Sequence, residues 1–73
     1  MTNHYSVMIQ WSDQDNAYLA ILPEFGSEPQ THGDTYEEAM KNAQEVLDLL
    51  IETHHAEGWP LPQPATYRYP VSA

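Results

Sequence analysis

Residues 31–43, Thr31-His32-Gly33-Asp34-Thr35-Tyr36-Glu37-Glu38-Ala39-Met40-Lys41-Asn42-Ala43, write a turn, a helix start and a buried helix face into one short run. Gly33 permits a backbone turn that a residue carrying a Cβ resists, and Thr35 with Glu38 has the Thr-x-x-Glu spacing of a capping box. From that start Tyr36, Ala39, Met40, Ala43, Val46, Leu47, Leu50, Ile51 and His54 recur at steps of three and four, which is one stripe of an α-helix. Glu37, Lys41, Gln44, Glu45, Asp48, Glu52 and His55 fall mostly elsewhere. Gly58 stands where a left-handed cap closes a helix, and Pro60, Pro62 and Pro64 cannot continue one. The spacing predicts a helix over Tyr36–Glu57, about 33 Å long at about 1.5 Å per residue.

The segment before the helix has a different period. Tyr5, Val7, Ile9 and Trp11 alternate with Ser6, Met8 and Gln10, so the first set points to one face of a strand and the second to the other. Ser12-Asp13-Gln14-Asp15-Asn16 supplies turn chemistry, and residues 17–22 are a short apolar run of strand length. These two strands are expected to pair as an antiparallel hairpin. Pro23-Glu24-Phe25-Gly26-Ser27-Glu28-Pro29 then reads as a loop leading to a brief third strand around residues 30–32.

A chain of 73 residues makes one small domain, here taken as 1–73, in which a single helix must cover a single sheet. One sheet face and one edge then remain open, so Trp11, Tyr18 and Trp59 are candidates for contact with a partner or a second subunit, and a homo-oligomer is expected. The absence of cysteine removes disulfides and thiol chemistry. With no long apolar run and no signal-peptide pattern, no membrane association and a cytoplasmic location are expected.

Eleven acidic residues against Lys41 and Arg68 give a formal charge of −9. Lys and Arg supply most of the affinity of proteins for phosphate backbones, so direct binding of DNA or RNA is not expected. An acidic surface instead suits a basic protein, although the same charge also keeps a small protein soluble.

Several pieces together resemble the amino-terminal domain of the HicB family of antitoxins. They are the opening strand Tyr5-Ser6-Val7-Met8-Ile9, the Asn16-Ala17-Tyr18 start of the second strand, Leu22-Pro23-Glu24-Phe25, and the run from Thr31 to Ala39. Asn42-Ala43-Gln44-Glu45 and Gly58-Trp59-Pro60-Leu61-Pro62-Gln63-Pro64 complete the likeness, which extends over residues 5–64. The resemblance implies an α+β fold in the order β-β-β-α-β, a three- to four-stranded antiparallel sheet with one long helix on one face, partly ribonuclease-H-like. It places the fourth strand within residues 61–69, where periodicity itself indicates none.

Such a domain is implied to bind a small basic HicA-type toxin, an mRNA-cleaving protein, and to cover its catalytic histidine. Antitoxins of this family usually continue into a DNA-binding domain; the chain ends at Ala73 and none is expected in it, which leaves transcriptional autoregulation in question. The loop Phe25-Gly26-Ser27-Glu28-Pro29 departs from the common Pro-Asp-Leu-Pro-Gly pattern of the family. Loops carry partner specificity, which makes Phe25 and Glu28 candidate contact residues. An orphan, self-assembling structural or regulatory protein without a toxin is the alternative.

Catalysis is not expected. His54 and His55 diverge by about 100° on a helix, whereas a chelating pair prefers a spacing of four. His54 instead lies at the end of the apolar stripe, in the last turn, where a histidine interacts well with the helix dipole. His32 has no partner at a defined spacing. Glu37 and Glu38 suit a first helical turn, and Asp13 and Asp15 suit a turn, so no metal or cofactor site is read from them. Trp59, Tyr67 and Tyr69 crowd the proline-rich end and either pack across another subunit or wrap over the protein's own sheet. In both cases they are expected to be shielded from water.

Overall fold

The computed structural model describes residues 3–70 and has the order β-β-β-α. Strand β1 (Met8–Ser12) pairs antiparallel with β2 (Ala17–Ile21), placing Ile9 opposite Ala20 and Trp11 opposite Tyr18. The turn between them is held by Ser12, whose hydroxyl donates to the Asp15 carboxylate at 2.8 Å and accepts from the Asp15 N–H at 3.2 Å. Asn16 follows with φ 51°, a left-handed conformation that asparagine tolerates better than most residues. The hairpin expected from the alternating pattern is therefore present. Its first strand starts later than the alternation does: residues 5–7 contribute Tyr5 and Val7 to the core but do not join the ladder.

A 3₁₀ turn over Pro23–Phe25 carries the chain to β3 (Pro29–Gly33), which pairs antiparallel with β2 and shifts register between Ala20 and Ile21. The sheet order is β1-β2-β3. Helix α1 (Tyr36–Glu57) lies mainly over β3 and β2 and hardly over β1.

Both ends of α1 are capped. The Thr35 hydroxyl accepts from the Glu38 N–H at 3.0 Å, and the Glu38 carboxylate reaches back to the N–H of Asp34 at 3.0 Å, one residue before the capping position. At the other end Gly58 has φ 70°, its N–H bonds to the His55 carbonyl, and the Trp59 N–H bonds to that of His54 at 2.9 Å. This pattern is a Schellman cap.

The core consists of Ala20, Leu22, Ala43 and Leu47, with Tyr5, Val7, Ile9, Phe25, Val46 and Leu50 packed against it. On the helix the fully covered residues are Ala39, Ala43, Leu47 and Ile51, a strict row of fours. Tyr36 and Met40, expected on the buried stripe, are exposed. They flank the row on the side of β1, where the helix covers little.

Gly33 serves a different purpose from the turn inferred for it. It is the last, buried residue of β3, and a Cβ there would collide with the backbone nitrogen of Ala39 and stand 2.8 Å from its Cα. Glycine is needed for close approach of strand and helix, with Ala39 supplying the small residue on the other side.

The fourth strand does not form among the described residues, and residues 59–70 carry no regular secondary structure. Pro60, Pro62, Pro64 and Pro70 lack the N–H that a ladder requires. The polar backbone groups nearby have side-chain partners instead, with the Ala65 N–H donating to Glu24 and the Pro62 carbonyl accepting from Tyr5.

Candidate protein-binding surfaces

Because α1 sits over β2 and β3, a groove runs between the helix and β1. Its apolar lining is Tyr5, Val7, Ile9, Met40 and Leu47, with Gln44 on the helix side. Charged groups border it at Glu37, Lys41 and Asp48. Helix α1 as a whole carries Glu37, Glu38, Glu45, Asp48, Glu52 and Glu57 against the single Lys41. The groove is thus a trough of mixed apolar and polar lining, bordered by Glu37, Asp48 and Lys41.

One end of the groove is built from aromatic rings. Trp11 meets Tyr18 edge to face with centroids 5.0 Å apart, and Tyr18 lies against Tyr36 at 4.3 Å. Such pairs add to the area they bury. Trp11 remains 49% exposed, its indole N–H donating to Asp13 at 2.7 Å. The sequence-derived candidates Trp11 and Tyr18 are brought together here, on the helix side of the sheet, and Tyr36 joins them; read as a core residue, it was not among the candidates.

A second aromatic run lies at the other end of the molecule. Tyr5 packs on Phe25 at 5.0 Å, Phe25 on His54 at 5.6 Å, and His54 on Trp59 at 5.5 Å. Phe25 and Trp59 therefore meet only through His54. The Nδ1–H of His54 donates to the Leu50 carbonyl at 2.7 Å, which fits the structural role at the helix end inferred for it. Glu28 is an exposed loop residue apart from both runs. Tyr67 and Tyr69 meet edge to face with centroids 4.9 Å apart and are 77% and 84% exposed, and Trp59 is also exposed. Shielding of these three from water is not achieved within the single chain.

Sequence reasoning missed Glu24. Its carboxylate accepts from the Ser6 N–H at 3.1 and 3.2 Å, the Ser6 hydroxyl at 3.0 Å and the Ala65 N–H at 2.8 Å. It thereby clamps the start of the chain and the segment after the helix to the 3₁₀ turn. Partial burial acts to raise its pKa, but the hydrogen bonds from Ala65, Ser6 and its own backbone together hold it below the ordinary carboxylate value. No local pattern could reveal this, since the partners lie 18 and 41 residues away.

Among the described residues, no three His, Asp or Glu side chains come together in a way that could hold a metal ion. No described helix is long and apolar enough to cross a membrane.

The chain has a relative among known proteins at the level of sequence. A UPF0150 protein, ssr1765 of Synechocystis sp., is 36% identical over 69 residues, covering 94% of this chain and 85% of that protein. The chain belongs to the UPF0150 family. Identity at this level over nearly the whole length means that the UPF0150 relative extends across the sheet, the helix and the segment after it alike. No family model matches the chain, and no solved structure matches it.

Proposed function

We propose that this UPF0150 domain is a protein-binding module that receives a short basic protein in the groove between α1 and β1. Its role is antitoxin-like, as the resemblance to HicB antitoxins implies: the domain covers a small HicA-type mRNA-cleaving toxin in the cytoplasm, by binding rather than by catalysis. The observation that supports this most is the make-up of the groove. Val7, Ile9 and Met40 offer apolar area to bury, Glu37 and Asp48 stand at the margin beside Lys41, and the helix as a whole carries six carboxylates against one lysine. Attraction between opposite charges speeds encounter and discriminates among partners more than it adds affinity.

The test begins by asking whether a short lysine-rich protein is encoded beside this chain. Co-expression is expected to yield a stable complex of the two, and the purified domain is expected to suppress RNA cleavage by that protein. Met40→Lys, which places a cation in the groove, is expected to abolish both effects. The absence of such a neighbour, or a neighbour that neither binds nor is inhibited, overturns the reading in favour of an orphan, self-assembling protein.

A further inference from the structure

The aromatic end of the groove leaves much of its ring surface open. Part-buried Tyr18 touches both Trp11 and Tyr36, yet 49% of Trp11 and 59% of Tyr36 face solvent. A carboxylate is fixed at the same place. The Trp11 indole N–H donates to Oδ1 of Asp13 at 2.7 Å, and among the described residues Oδ2 of Asp13 accepts no hydrogen bond. Its neighbour Asp15 differs, because the Ser12 hydroxyl donates to it at 2.8 Å. Glu37 follows Tyr36 at the start of α1, with Lys41 one turn further on, so carboxylates outnumber ammonium groups around the rings.

Open rings and a free carboxylate oxygen together select a cation. The face of an aromatic ring is negative and attracts a cation within about 6 Å of its centroid, tryptophan most strongly. An apolar side chain would use the rings and gain nothing from Asp13, and an anion would be repelled by both. A guanidinium suits the pair better than an ammonium, since it is flat enough to lie on a ring while its in-plane N–H groups reach a carboxylate at the ring's edge. We infer that Trp11, Tyr36 and Asp13 form a seat for one arginine side chain of a bound basic protein, with the guanidinium against the indole and an N–H donated to Oδ2 of Asp13. The inference rests on the reading of the groove for the identity of the partner, and adds which of its side chains is recognised and where.

A seat for one side chain is tested with a short peptide. The purified chain is titrated with acetyl-Gly-Arg-Gly-amide and followed by nuclear magnetic resonance, with the citrulline peptide, equal in shape but uncharged, as the control. The chain has two tryptophans, so Trp59 reports any response that is not local to the seat. The expected result is a saturable shift of the Trp11 indole N–H without one at Trp59, with the citrulline peptide weaker by about tenfold and a lysine peptide weaker than the arginine one. Asp13→Asn is expected to weaken the arginine peptide severalfold. Trp11→Leu is expected to abolish the response at the Tyr36 amide, whereas Trp11→Phe keeps part of it, which a merely misfolded variant cannot do. An unmoved Trp11 signal, an equal response to citrulline or lysine, or a Tyr36 response undiminished in Trp11→Leu overturns the inference. If the arginine peptide binds and the lysine-rich neighbour does not, the seat stands and the reading of the groove fails. If the neighbour binds the Trp11→Leu chain as tightly as the unaltered one and the peptide gives no response, the groove stands and the seat is overturned.

Discussion

Of the three glycines, Gly33 is the one with no room for a side chain: a Cβ there meets helix backbone, which cannot swing aside as a flexible side chain could. Gly33→Ala is expected to cost at least about 1–3 kcal/mol, read as a lowered urea midpoint; a neutral outcome would show that α1 can lift from β3 freely. Glycine before a cap box is legible as punctuation, but whether it serves a turn or a close approach depends on what packs over it, which local pattern does not contain. Glu24 is the second decisive residue. Its carboxylate is held below its ordinary pKa in the folded chain, so its contribution is complete above the ordinary carboxylate range and is lost as pH falls through the lowered folded value. Glu24→Gln keeps the shape and removes acceptor capacity. It is expected to lose about 1–3 kcal/mol at neutral pH and to flatten the fall of stability in acid, which denaturation at several pH values would measure. An unaltered acid limb contradicts the clamp.

Among the elements, α1 was legible almost to the residue, because a capping box, a long period of three and four and a glycine stop agree with one another. Its orientation was less legible. The buried row Ala39, Ala43, Leu47 and Ile51 is narrower than the apolar stripe, since helix placement over β2 and β3 leaves Tyr36 and Met40 outside. Leu47→Ala, in the centre of the row, is expected to cost about 2–5 kcal/mol, a large part of a small domain's stability. Exposed Glu45→Ala should change it by less than about 0.5 kcal/mol. Thermal or urea unfolding of the pair decides whether the assigned face is right. The hairpin followed from period two and turn residues, whereas the fourth strand suggested by resemblance fails because prolines remove the donors that a ladder needs.

At the scale of the whole molecule, a groove of mixed apolar and polar lining runs between β1 and an acidic helix. Composition announced an acidic protein suited to a basic partner, but not where the charge is concentrated. That needed the strand register and the helix position, which bring Trp11 and Tyr18 beside Tyr36 while leaving Glu28, Tyr67 and Tyr69 apart. The central claim is that the groove binds a basic protein, and calorimetric titration with a short lysine-rich protein encoded beside this chain, should the genome hold one, at about 50 and about 500 mM salt tests it most directly. The account predicts binding that weakens steeply at high salt and falls at least tenfold with Met40→Lys. Absence of binding, or binding indifferent both to salt and to Met40→Lys, would contradict it.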